Sequence, residues 1–183
     1  MSKLIVDEIV DSNGNSLILG SVLQVQHTES NTVSDISQQD IVPIGGLSVN
    51  ISPLSSSSKL LLEANVSSNV TYVTSFGFAL GTASGYERIG GNTNTNSKNA
   101  IATRFVYENV TSISPLPGFQ SNQETVTYRY LYSQTEVAPV GGLTFHACAC
   151  SSWVGNLYNL RINNRSPTDM LSTSSITVME IVL

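Results

Sequence analysis

Charged residues are scarce in this sequence, and cations are scarcer than anions. Of 183 residues 11% are charged, with 8 Lys and Arg against 13 Asp and Glu, and the formal net charge is −5. A general nucleic-acid binder needs a basic face to neutralise phosphates, so the composition excludes that class. The chain also lacks a run of about 18 apolar residues, so we expect no membrane-spanning segment.

Cysteine is nearly absent as well. Cys148 and Cys150 are the only two, and a disulfide framework needs more cysteines at wider spacing. Asp7 and Glu8 interrupt the first apolar residues too early for a signal peptide. We therefore expect either synthesis in a reducing cytoplasm or a fold that needs no disulfide bonds.

Helix-forming patterns are weak, whereas strand patterns recur along the chain. Hydrophobic residues make up 40% of the sequence, which is enough for the core of one domain. The best helical candidate, Ser34 to Ile41, predicts one or two turns at most. Glu124 to Tyr132 alternates most clearly, with Val126 and three tyrosines on one face. About ten such segments, separated by Gly, Pro, Asn and Ser, predict an all-β antiparallel sandwich or jelly roll.

The first 20 residues form a separate unit in this interpretation. Asn13-Gly14 between two apolar runs predicts a β-hairpin, so we divide the chain into a hairpin arm, 1–20, and a sandwich, 21–183. A lone hairpin is barely stable in water, so the arm must pack on its own domain, a sister chain or another protein. Its candidate docking residues are Leu4, Val6, Ile9, Leu17 and Leu19.

Two segments are apolar on both faces, which favours an oligomer. Ile176 to Leu183 is interrupted only by Thr177 and Glu180, and Leu60 to Leu62 is similar. A strand with one solvated face alternates apolar and polar residues. A second copy of the chain would cover the second apolar face. The alternative is that the last strand lies centrally and the arm covers it.

No catalytic motif stands out, and we expect neither an enzyme nor a bound cofactor or metal. His146, Cys148 and Cys150 have the chemistry of zinc ligands. Neighbouring side chains on one strand face cannot readily surround an ion, so we interpret the three residues as packing in the sandwich core. Asp7, Glu8 and Asp11 could bind a cation, but solvated residues, or partners for a basic docking surface, are the preferred interpretation.

Long polar loops are the candidate recognition surfaces. Gly81 to Asn99 is predicted to be such a loop, and Tyr86 and Arg88 within it offer contact area and a planar hydrogen-bonding group. Trp153 could stack on a sugar ring if it is exposed, although core or interface packing is preferred. Arg165 lies in a further polar loop.

Both ends of the chain resemble a known group of proteins. Lys3-Leu4-Ile5-Val6-Asp7-Glu8-Ile9 with Gly14-Asn15, and Gly20-Ser21-Val22-Leu23-Gln24-Val25, look like the N-terminal arms and head-domain starts of tailed-bacteriophage fibre proteins. Ser174-Ser175-Ile176-Thr177-Val178-Met179-Glu180-Ile181 looks like the last strand of those heads, which are similar to the trimeric jelly roll of tumour necrosis factor and complement-type domains. Residues 80–123 match nothing familiar. The resemblance implies a trimeric virion protein with no catalytic residues to carry over.

The sequence therefore predicts a structural protein of a tailed-phage particle, made in the host cytoplasm and located in the virion. It would be a homotrimeric fibre, spike or capsid decoration that binds other virion proteins through its arm. Its head would attach to a surface, with a host glycan as one possible ligand. The alternative is a free carbohydrate-binding lectin with a similar sandwich.

Overall fold

The fold consists of two antiparallel β-sheets packed face to face. A computed structural model describes residues 21–36, 40–55, 57–69, 73–90, 101–105, 123–133, 142–151, 160–163 and 171–182. These residues contain eleven strands and no helix, and so no helix that could cross a membrane. The strands are β1 (Val22–Ser30), β2 (Ser34–Ile36), β3 (Val42–Ile51), β4 (Lys59–Asn69), β5 (Val73–Thr82), β6 (Gly85–Ile89), β7 (Ala102–Phe105), β8 (Gln123–Ser133), β9 (Leu143–Ser151), β10 (Leu160–Ile162) and β11 (Ser174–Ile181).

The first sheet is four strands wide, and its strands are antiparallel. Two of the four positions, which we call interrupted rows, are each occupied by two short strands that lie end to end. Strand β8 pairs with β4 along one side over the whole of β4. On the other side, β11 pairs with its first part and β10 with its last two residues, so β10 and β11 lie end to end. Strands β1 and β2 pair with β11 and β10 in the same way. The order across this sheet is β1/β2, β11/β10, β4, β8.

The second sheet is also four strands wide, and one of its four rows is interrupted. Strand β9 lies between β3 and β5. The free side of β5 is occupied by β7 along its first part and by β6 along its last part, so β6 and β7 also form one interrupted row. The order is β3, β9, β5, β6/β7. The prediction of an all-β antiparallel sandwich is confirmed.

Alternating residues of both sheets form the core between them. Phe76, Phe78 and Phe145 from the second sheet are fully buried. The ring of Tyr128 on β8 lies 4.8 Å from that of Phe78 and 5.7 Å from that of Phe76. Aliphatic side chains of β3, β4 and β11 fill the remaining space. The predicted alternation from Glu124 to Tyr132 is confirmed, and the face that carries Tyr128 is the one that packs on the core.

A buried carboxylate closes one end of the sandwich. Glu180 is fully buried, and it accepts hydrogen bonds from the backbone amides of Leu54 and Ser55 at 2.9 and 3.0 Å. The Ser58 hydroxyl donates at 2.5 Å and Gln24 Nε2 at 2.7 Å. Burial alone raises the pKa of Glu180, but these hydrogen bonds outweigh it and hold the pKa below its usual range.

A polar cluster joins the interrupted rows of the first sheet. Asn163 is fully buried and has a left-handed backbone, with φ of 61°. Its amide nitrogen donates to the carbonyl oxygens of Ser30 at 2.8 Å and Thr32 at 3.1 Å. Its side-chain oxygen accepts from the Ser174 hydroxyl, which itself accepts from the Ser67 amide at 2.9 Å. The breaks in both rows are thus bridged by one side chain.

Two local predictions were wrong. Ser34 to Ile36 is the strand β2, paired with β10, and not the start of a helical turn. Gly81 to Ile89 is not loop, because β5 continues to Thr82 and turns directly into β6. In both places polar residues form strand edges, where backbone pairing does not require an apolar side chain.

Candidate interaction surfaces

The outer face of the first sheet carries an apolar band. Val25, Met179, Leu61 and Leu131 are direct cross-strand neighbours and form a line across all four rows. Val25 and Leu131 are 51% and 43% exposed, and the two central side chains are half-buried. Val22 and Ile181 extend the line at the β1 edge. We call these six residues the apolar band.

A polar row borders the apolar band on the same face. His27, Thr177, Glu63 and Arg129 are cross-strand neighbours. The Arg129 guanidinium donates to the Glu63 carboxylate, and His27 Nδ1 lies 2.8 Å from the Thr177 hydroxyl. The face therefore combines apolar contact area with donors and acceptors of both charges, as the rims of protein interfaces do.

The chain enters the sheet beside the apolar band. The Val182 amide donates to the Ser21 carbonyl at 3.0 Å, so the residue that follows the predicted arm is fixed next to the last strand. The arm itself, with Leu4, Val6, Ile9, Leu17 and Leu19, lies outside the described residues. The alternation of burial along β11 shows one core face and one half-buried face, with β11 central between β1 and β4.

The two cysteines do not lie in the main core, and that prediction was wrong. Phe145, Ala147 and Ala149 point into the sandwich. Cys148 and Cys150 are fully buried on the opposite face, where they pack with Ile41 and Ala79. Burial raises the pKa of the Cys148 thiol to about 12, so this group is protonated and unreactive at neutral pH. Within the described ranges no group of three metal-ligating side chains occurs.

Side chains of three neighbouring strands lie together on the outer face of the second sheet. Tyr86 and Arg88 of β6 are the cross-strand neighbours of Gly81 and Ala79 on β5. His146 of β9 lies opposite Ala79, and Thr144 of β9 lies close to Gly81. Ala79 is fully buried, so the surface of the sheet is covered there. We call these six residues the β5–β6–β9 cluster.

Side chains of β9 lie close to the backbone of Gly81. A Cβ atom on Gly81 would lie 3.3 Å from Thr144 Cβ and 3.4 Å from His146 Nε2. The Asn50 amide donates to the Thr144 hydroxyl at 3.0 Å. Burial lowers the pKa of His146, which keeps the imidazole neutral at pH 7.

The predicted recognition residues divide into two groups. Tyr86, which is 41% exposed, and Arg88 belong to the β5–β6–β9 cluster, and the Arg88 guanidinium is 3.5 Å from the Asp40 carboxylate. Trp153 and Arg165 lie outside the part of the chain that the structure describes. Sequence reasoning missed that Tyr86 and His146 lie on the same face of one sheet, on the two strands that flank β5, because β6 was interpreted as loop and its pairing with β5 was unknown.

No protein-family model matches the sequence, and no curated protein does.

Proposed function

We propose that this chain is a non-enzymatic structural protein of a tailed-phage particle, a homotrimeric fibre, spike or capsid decoration located in the virion. Its arm, residues 1–20, docks on another virion protein, and its sandwich projects as the head. The resemblance of both chain ends to phage fibre proteins supports this assignment. The apolar band is the single structural observation that carries it.

The strand order supports a jelly roll for the head. If each interrupted row is counted as a single strand, the chain has eight strands, which we number in chain order. Across one sheet the neighbouring strands are the first, eighth, third and sixth, and across the other they are the second, seventh, fourth and fifth. An eight-stranded double sheet of this kind is typical of jelly rolls in capsid and lectin domains.

The apolar band supports self-association. It crosses every row of one sheet, and single copies of soluble proteins rarely expose a continuous apolar line of this extent. A second copy of the chain is the occupant that we propose, because the polar row beside the band offers Glu63 to Arg129 of one neighbour and Arg129 to Glu63 of the other, as a head-to-tail contact in a trimer requires. Weak contacts of the heads with a host surface would then be strengthened by multivalency.

The proposal is tested on the full-length protein and on a variant that lacks residues 1–20. We expect light scattering to give three times the chain mass for each protein, and the mass of the full chain is 19.6 kDa. We expect the full chain, and not the truncated one, in purified phage particles analysed by mass spectrometry. A monomeric full-length protein, or incorporation that does not depend on residues 1–20, would contradict the proposal.

A further inference from the structure

We propose that the edge of strand β1 is a docking site for residues 1–20 of the same chain, which occupy it until the protein reaches a particle. The apolar residues of the arm are then covered in the free protein and become available at the particle. This placement rests on the proposed function only for the later transfer of the arm to another virion protein.

Strand β1 forms one edge of the first sheet. Within the described ranges it pairs with β11 and with no other strand, so the edge that faces away from β11 is open to a further strand. Seven consecutive residues, Gln24 to Ser30, follow a regular register, which corresponds to about 23 Å of edge at about 3.3 Å per residue. Strand β1 contains neither proline nor lysine, the residues with which proteins commonly protect an edge.

Exposed apolar side chains are concentrated on β1. Val22, Leu23 and Val25 are 52%, 38% and 51% exposed, and no other described strand has more than one exposed large apolar side chain. Leu23 is the extra residue of a β-bulge, because Val22 pairs with Ile181 and Gln24 pairs with Glu180. Leu23 does not belong to the apolar band, so a second copy on the band does not account for its exposure.

The arm fits this edge because of where it ends and what it carries. The Ser21 carbonyl accepts from the Val182 amide, so the chain enters the sheet at the start of β1. Twenty residues are long enough to run along the edge and return, since each extended residue spans about 3.3 Å. Leu17 and Leu19 precede Leu23 by six and four residues.

Covalent attachment favours the arm over a separate partner. A segment joined directly to its site acts at an effective concentration of about millimolar or more. The two apolar runs of the arm also need support, because a two-stranded hairpin alone is barely stable in water. Pairing with β1 supplies that support, since it adds the arm to an existing sheet.

Hydrogen exchange of full-length proteins, read by mass spectrometry, tests the docking site. We expect the β1 amides to exchange at least about tenfold faster in the double variant Leu17→Asp/Leu19→Asp than in the wild type. Leu23→Asp should have the same effect from the other side of the contact. Strand β3, which among the described strands pairs only with β9 and so is also an edge, is the internal control and should not change. Leu171→Asp, at a 58% exposed side chain outside β1, is the matched control variant.

A mixed assembly distinguishes docking on the same chain from docking on a neighbouring copy. Isotope-labelled Leu17→Asp/Leu19→Asp chains are refolded together with unlabelled wild-type chains. The labelled β1 peptide should still exchange fast, because its own arm cannot dock. Slow exchange of that peptide would place the wild-type arm on a neighbour and would overturn the proposal.

The outcomes also separate this docking site from the proposed function. Equal exchange of β1 in the wild type and in Leu17→Asp/Leu19→Asp would overturn the docking site, and would leave incorporation into particles through residues 1–20 untouched. Incorporation that does not depend on residues 1–20 would contradict the proposed function, whereas arm-dependent protection of β1 would still establish the docking site.

Discussion

Glu180 shows how a single charged residue can stabilise an otherwise apolar strand. In the sequence it interrupts a run of aliphatic residues, and a buried carboxylate without partners would be strongly destabilising. In the structure it receives hydrogen bonds from two backbone amides, a hydroxyl and a side-chain amide. The carboxylate therefore fixes the connection between β3 and β4 to the last strand.

Glu180→Gln should lower the free energy of unfolding at pH 7 by about 2–3 kcal/mol, because the new NH₂ group faces donors and cannot accept their hydrogen bonds. Chemical denaturation measures the change. Glu29→Gln, at a carboxylate whose side chain is 65% exposed, is the control and should change stability by less than about 0.5 kcal/mol.

The effect of Glu180 should also depend on pH. Since its pKa is lower in the folded than in the unfolded chain, the stability that it contributes is complete above the unfolded pKa, near 4.3, and is lost as the pH falls through the folded pKa. The difference between wild type and Glu180→Gln should therefore shrink below about pH 4. A difference that grows on acidification would contradict the assignment.

Asn163 has a comparable role between elements, where it bridges the breaks in two strand rows. Asn163→Ala should cost about 3–5 kcal/mol, because it removes buried hydrogen bonds and forces an alanine into a left-handed conformation. Asn163→Gly should be about 1 kcal/mol less damaging, since glycine adopts that backbone freely. Thermal and denaturant unfolding measure both, with Leu171→Ala, at a 58% exposed side chain, as the control. Wild-type stability of Asn163→Gly would show that the side chain contributes nothing.

The strands that the sequence predicted well are those in which apolar and polar residues alternate strictly. Strand β8 follows its pattern because one face packs on the core and the other does not. Strands β2 and β6 escaped prediction because they are short and polar, and their pairing depends on distant strands. The Ala147 to Cys150 segment was assigned to the wrong face, since a run of small residues shows no alternation of size or polarity.

At the scale of the whole molecule, the sequence predicted the two-sheet class and the second apolar face of two strands, but not how residues of different strands combine on one surface. The apolar band joins residues from β1, β4, β8 and β11 that are far apart in the chain. The β5–β6–β9 cluster likewise joins residues of three strands. Such neighbours follow from strand order and register, which one sequence does not encode in any local pattern.

The apolar band gives the decisive prediction about assembly. Leu131→Glu places a charge on a side chain that is 43% exposed in one subunit, so the fold should tolerate it. In the assembly each copy would bury an unpaired carboxylate against apolar surface, which costs several kcal/mol. We therefore expect light scattering to show a fall from the trimer to the single-chain mass, with an unchanged circular dichroism spectrum. Leu54→Glu, at a 71% exposed residue outside the band, should leave the mass unchanged. A Leu131→Glu protein that keeps the wild-type mass would exclude the band as the contact between subunits.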